Sequence, residues 1–274
     1  MNDKLKLWKD SPSSFEEAEQ AWDLGAKTAA EIRPLKTPKQ LPSMVGMTPD
    51  TAKGLKWKSL KWMVANDHDR KILKSFLRHP FRYGWRWIKS ALKAKPFKRQ
   101  GDFFLYGVDS LNEFSHLLKD KNALFVAGFS YCHKPFECPS GRFTPECIHD
   151  PENPVCRQCF IGKTVNALPE GNNIPLFIPT IHYVGGKIFD LVHQYPGRPI
   201  LFLITACELT LEMFGDLGNM VDIRGLGVRL DGRICNTMKA FELSEQGIKP
   251  GLTTVLPDTQ RQILELIRER SNAR

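Results

Sequence analysis

ALFVAGFSYC, residues 123–132, decides how this chain is read, because seven apolar residues of strand-forming character run almost directly into a cysteine. An unbroken apolar run this short is a strand covered on both faces, and such strands belong to parallel sheets wrapped by helices. FFLYG (103–107), the apolar run IPLFIPTIHYV (174–184), PILFLIT (199–205) and VDIRGLGVRL (221–230) repeat the signal. Helical patterns separate them. Ser110 and Glu113 form a capping box before Leu111, Phe114, Leu117 and Leu118, and a helix is expected around Phe160 to Leu168. Gly185 and Gly186 open a helix burying Ile188, Val192 and Tyr195, and another after Cys207 carries Leu209, Met213 and Leu217. A helix after DGRICNT ends near Gly247, with Pro250 beyond it, and Asp258 caps a last one with Ile263 and Ile267 on its apolar face. This alternation predicts an α/β domain over residues 101–274, with a mostly parallel sheet of about five strands and flanking helices.

The segment that follows the quoted strand is CHKPFECPSGRFTPECIHDPENPVCRQC, residues 132–159, with five of the chain's seven cysteines. Cys156 and Cys159 have the C-x-x-C spacing that turns two thiolates onto one metal ion. The loop is rich in Pro and Gly and offers little beyond Phe136, Phe143, Ile148 and Val155 to bury, so an external staple is expected to order it. Cys207 and Cys235 each follow a later strand. All three cysteine locations therefore lie beyond strand carboxyl ends, where open α/β sheets form ligand crevices, and a common centre is within reach. The expected metal ligands are Cys132, Cys138, Cys147, Cys156, Cys159, Cys207 and Cys235, with Cys156 and Cys159 as anchors, Cys132, Cys138 and Cys147 supplying the rest, and Cys207 or Cys235 completing the site or staying reactive. His133, His149 and His182 are spare ligands. Four thiolates suit zinc and an iron–sulfur cluster alike, and of the two the cluster is favoured. Cys207 precedes a helix whose positive end stabilises a thiolate, and Glu208 is the nearest acid or base, so these two are the candidate catalytic residues. Gly185, Gly186 and Lys187, at an expected helix start, form a candidate cofactor-binding turn for an anionic group.

The amino-terminal region has a different character. Ser14 and Glu17 cap a helix that places Phe15, Ala18, Trp22 and Ala26 on one side, Pro34 stops it, and Pro38, Pro42 and Pro49 mark a linker, giving residues 1–52 as a strap or docking arm. Residues 53–100 are basic and aromatic. From Lys53 to Arg99 there are 15 Lys or Arg against Asp67 and Asp69, a local charge of +13 that leaves −4 for the rest of a chain of net charge +9. Phe81, Trp85, Ile88 and Leu92 form an apolar stripe, and Arg82, Arg86, Lys89 and Lys93 form a basic stripe one residue later. The leading reading of such a helix is one docked on its own domain with a solvated basic face; it also suits the surface of an anionic membrane, with Trp57, Trp62, Trp85 and Trp87 at headgroup depth, and nucleic acid or another polyanion is the lesser alternative.

With 42% hydrophobic residues the chain can bury a large core, and it shows neither a signal-peptide pattern nor an apolar run of spanning length. A cytoplasmic location, in places peripheral to the membrane, is the expectation, and a disulfide framework is the weaker reading of an odd cysteine count. There is no G-x-G-x-x-G, P-loop, G-x-S-x-G or C-x3-C-x2-C motif, so nucleotide hydrolysis, serine-type catalysis and radical initiation lack residues to carry them.

The run from SYCHKPFEC to CRQC, then ITACEL and RICNT, resembles the bacterial and archaeal family catalogued as domain of unknown function 116, over roughly residues 120–245. The resemblance implies Cys132, Cys138, Cys156, Cys159, Cys207 and Cys235 as the shared set, with Cys147 this chain's own. That family has been thought to include membrane-embedded members, and it brings no reaction with it. The functional expectation is therefore a cysteine-ligated metalloprotein with redox or group-transfer chemistry on a small molecule or carried group. The alternative is a zinc-stapled binding module recruited to an anionic membrane surface or nucleic acid through residues 53–99.

Overall fold

In the computed structural model, residues 14–36, 46–92 and 95–272 are described. Pro38, Pro42 and Lys93 lie outside them. The architecture is α/β, with a six-stranded, mostly parallel sheet between two layers of helices. The strands are β1 (Lys98–Gln100), β2 (Phe103–Tyr106), β3 (Leu124–Ser130), β4 (Asn173–Ile178), β5 (Ile200–Ala206) and β6 (Arg224–Arg229). Their spatial order is β1-β2-β6-β5-β3-β4, with β4, β3, β5 and β6 parallel and the β1–β2 and β2–β6 pairs antiparallel. The expected five strands are all present. β1 is an addition, formed by three exposed polar residues whose only strand signal is their pairing with β2.

Side chains on the central strands alternate between two cores. Leu124 and Val126 of β3 and Ile200, Phe202 and Ile204 of β5 point into one, while Phe125, Ala127 and Phe129 of β3 and Leu201 and Leu203 of β5 point into the other. The second core is closed by α6 (Leu111–Leu118), α8 (Phe160–Ala167) and α12 (Pro257–Asn272). Arg270 of α12, 5% exposed, donates to the carbonyls of Leu118, Asp120 and Ala123, which fixes the entry to β3. The first core is closed by α9 (Ile181–Gln194), α10 (Glu208–Val221), α11 (Met238–Glu245) and the basic segment.

That basic segment folds as α3 (Leu55–Ala65), α4 (Lys71–Leu77) and α5 (Pro80–Ala91), after the single turn α2 (Pro49–Ala52). It does not stand apart from the α/β domain. Leu55, Tyr83 and Phe97 belong to the first core, and Lys71–Asp190 (2.7 Å) and Arg86–Asp222 (2.8 Å) tie it to α9 and to the end of α10. The helix α1 (Phe15–Ile32) is capped by Ser14 Oγ accepting from Glu17 N. It buries Trp22 under the guanidinium of Arg157 in the short helix α7 (Pro154–Gln158), and Lys163 of α8 meets both Glu19 and Asp23.

The run 174–184 breaks after Ile178. Thr180 caps α9 by accepting from Tyr183 N, so the helix starts at Ile181, and Gly185 and Gly186 lie inside it. Their amides belong to the helix's own ladder. A Cβ on Gly185 would meet Ile72 and Leu217, and one on Gly186 would meet Lys71, while Lys187 Nζ sits over the Tyr183 ring. The anion-binding turn expected at Gly185, Gly186 and Lys187 is thereby corrected to a docking surface for α4.

Candidate metal and thiol site

Three adjacent strands end on cysteines. β3 runs into a 3-10 turn, Tyr131–His133, in which Ser130 Oγ accepts from Cys132 N. β5 runs into Cys207, the N-cap residue of α10, and β6 continues through β7 (Asp231–Gly232) to Cys235. Tyr131 OH donates to Ser244 O at 2.6 Å, which anchors the turn to α11. The strand order β6-β5-β3 then brings Cys132, Cys207 and Cys235 together around a cavity of about 30 Å³, enough for a water molecule or a single ion.

All three cysteines are buried, and so is a lysine that sequence reasoning did not find. Lys249 Nζ donates to Cys235 Sγ at 3.2 Å and lies 3.9 Å from Cys207 Sγ. Hydrogen bonds to Cys132 and Cys235, and then burial, raise the Cys207 thiol well above its ordinary range, so Cys207 keeps its proton. The hydrogen bond from Cys207 and the Lys249 charge hold Cys235 toward thiolate against burial. Burial pushes Cys132 up, and the same two partners outweigh it. The helix-stabilised thiolate expected at Cys207 is thus a donor, and its neighbours carry the charge.

Glu208 is placed differently from expectation. Its carboxylate pairs with Arg99 Nη1 of β1 at 3.0 Å. The carboxyl that lines the thiol cavity is Glu245, at the end of α11, with Oε2 accepting from Ile181 N at 2.9 Å. Burial, followed by the Cys132 and Cys235 charges, raises it to about 8 against the pull of that amide. Nothing in its sequence surroundings marks it.

The other four cysteines gather in the loop. Asn153 caps α7 through Val155 N and Cys156 N, and Cys159 is the N-cap residue of α8. A Cβ on Gly162 would stand 2.3 Å from Cys156 O, so the turn between the two cysteines closes only over a glycine. Cys138 and Cys147 stand near enough to both Cys156 and Cys159 to add to the rise of their thiols. Burial raises Cys147, and takes Cys156 and Cys159 up to about 12.

The loop has its own staple. Lys134, 1% exposed, donates to the carbonyls of Gly141 (3.2 Å), Thr144 (2.9 Å) and Glu146 (2.6 Å) and to Thr144 Oγ1 (3.2 Å). Arg142 donates to the carbonyls of Lys134 and Cys132 and, across the chain, of Lys249 and Gly251. Two cations bonded to backbone oxygen thus tie the loop to itself and to residues 249 and 251.

The seven cysteines do not form one set. Cys132, counted with the loop from its position in the chain, belongs with Cys207 and Cys235. The histidines are engaged elsewhere: His133 is buried and stacked on Phe160, His149 Nδ1 meets Cys147 O, and His182 Nε2 meets Met63 O. Among the described residues, no three His, Cys, Asp or Glu side chains stand at metal-ligand spacing, so either set would have to contract around an ion. No family model, curated protein or solved structure matches the chain, so the resemblance drawn from its sequence rests on the order and setting of the cysteines alone.

Proposed function

We propose that this chain is a cysteine-ligated metalloprotein with two unequal centres: a closed site of Cys138, Cys147, Cys156 and Cys159 that orders the loop, and a working site of Cys132, Cys207 and Cys235 at the carboxyl edge of the sheet. The observation that carries this reading is the meeting of three thiols, from three neighbouring strands, around one buried ammonium. Cys132, Cys207 and Cys235 are soft sulfur donors suited to zinc or iron, and the neighbouring ammonium favours the thiolate form of Cys132 and Cys235 that ligation needs. In the loop, Cys147, Cys156 and Cys159, raised by burial, need a cation to become ligands, and with Cys138 they would close a tetrahedral shell. An iron–sulfur cluster is the favoured occupant and zinc the alternative. Three protein ligands leave a position open, so a group bound at the edge would supply electron-transfer or Lewis-acid chemistry to a small molecule or carried group. There Lys249 supplies positive charge to the thiolates, and Glu245, protonated near neutral pH, can deliver or take up a proton.

The test is metal and acid-labile sulfide analysis, with an absorption spectrum, on anaerobically purified protein and on Cys156→Ser and Cys235→Ser. Two separable fractions of bound metal are expected, one lost in each variant. Metal-free wild-type protein, or identical metal content in all three, overturns the proposal.

A further inference from the structure

We infer that the outer faces of α3, α4 and α5 form a docking surface for an anionic lipid bilayer. Of fifteen large apolar residues exposed among the described residues, nine lie between Trp57 and Leu92. Phe81 is 93% exposed, Leu92 82%, Trp57 and Val64 72% and Trp85 60%. They are not a core face left uncovered, because each helix already has an inner apolar face. Leu55, Trp62 and Met63 of α3, Ile72 and Phe76 of α4, and Tyr83 and Trp87 of α5 pack on the first core. The stripe of Phe81, Trp85, Ile88 and Leu92 is the outward one. Helices apolar on two sides need a second partner.

The charge on the same segment selects that partner. Lys61, Arg70, Lys74, Arg78, Arg82 and Lys89 are exposed beside the apolar residues, and Lys89 Nζ sits 5.2 Å from the Trp85 ring centre. The segment's two carboxylates are taken up by backbone amides: Asp67 accepts from Ile72 N and Leu73 N, and Asp69 accepts from Lys71 N. A surface carrying these six exposed cations repels a second copy of itself. Nucleic acid would satisfy the cations and stack on Trp57, Phe81 and Trp85, but Val64, Leu73, Leu77, Ile88 and Leu92 gain nothing against phosphate or sugar. Acyl chains below a layer of anionic headgroups answer both chemistries at once. No helix among the described residues is long and apolar enough to cross a membrane, so α5 would lie in the interface plane. This inference does not depend on what the cysteines bind.

The test is co-sedimentation of the full chain with vesicles of phosphatidylcholine alone and with added phosphatidylglycerol, at roughly 50 and 300 mM salt. Two variants accompany it: Phe81→Ser/Trp85→Ser/Leu92→Ser, and Arg82→Glu/Lys89→Glu. All five positions are exposed, and unchanged far-UV circular dichroism and melting will check that folding is kept. Binding to the anionic vesicles that weakens with salt, and at least about tenfold weaker binding for each variant, is expected. Absence of binding to anionic vesicles overturns the inference. So does binding that the apolar triple variant leaves unchanged, since that would be charge alone. A third overturning result is self-association, or retention on RNA, that the triple variant abolishes while vesicle binding persists.

Discussion

Each group of cysteines surrounds a buried lysine, and the two lysines are used in opposite ways. Lys134 turns its ammonium to four oxygens of the loop, so its charge goes into holding the backbone. Lys249 turns its ammonium to sulfur, so its charge goes into holding Cys235 and Cys132 toward thiolate. The Cys147, Cys156 and Cys159 thiols, raised by burial, are weak nucleophiles. Similar residues thus make a scaffold in one place and a charged sulfur site in the other.

The sharpest way to break this comparison is to remove each charge in turn. Lys134→Met removes one donor from four partly buried acceptors. Because hydrogen bonds to a charged group contribute about 1.5–3 kcal/mol each, a loss of at least about 3 kcal/mol in unfolding free energy is expected. Lys249→Met should destabilise far less, by roughly 1 kcal/mol, because a thiolate that loses its partner can take up a proton. Urea unfolding of both variants decides the matter. Equal losses would mean that the two lysines play one structural role and that the edge has no special claim to chemistry.

The next test separates the two sets by a single methyl group. Gly162→Ala places a Cβ against Cys156 O, in a turn that Asn153 and α8 hold from both sides. Overpacking of this kind costs about 1–3 kcal/mol, and the shift falls on the Cys156–Cys159 pair. If the loop holds the metal proposed for it, the expected result is a less stable protein that loses that metal while thiol labelling at Cys132 and Cys235 is unchanged. Altered labelling at the edge would show that the sets communicate.

Much of the fold was legible because its central strands are covered on both faces and so are apolar without interruption. β1 was not legible: Lys98, Arg99 and Gln100 become a strand only because β2 offers an unpaired edge. The start of α9 was legible in principle, since Pro179 and Thr180 are a stop and a cap, but the Gly185–Gly186 pair drew the boundary four residues too far. At the site, the cysteines were visible and their grouping was not. Cys132 is six residues from Cys138 along the chain, yet the direction of β3 sends it toward β5 and Cys207. Lys134, Arg142 and Lys249 look like ordinary loop charges in sequence. Their partners are set by the tertiary fold, and the Arg142 guanidinium reaches carbonyls at Lys249 and Gly251, more than a hundred residues away.

Glu208 offers the finest discrimination, because it sits one residue from Cys207 and yet belongs to neither lysine's circle. Its Oε1 is held by Arg99 at 3.0 Å, across the first turn of α10 from β1, and Gly46 closes over the carboxylate. The pair is partly open to solvent on the arginine side, where such ion pairs contribute about 1 kcal/mol or less. Glu208→Gln should therefore lower unfolding stability by no more than about 1 kcal/mol and leave metal content and thiol labelling unchanged. Glu245→Gln, in contrast, should alter labelling of Cys132 and Cys235, since its carboxyl faces them across the cavity. If the two substitutions behaved alike, proximity in sequence would be the better guide to this site, and the assignment of Glu245 as its carboxyl group would fail.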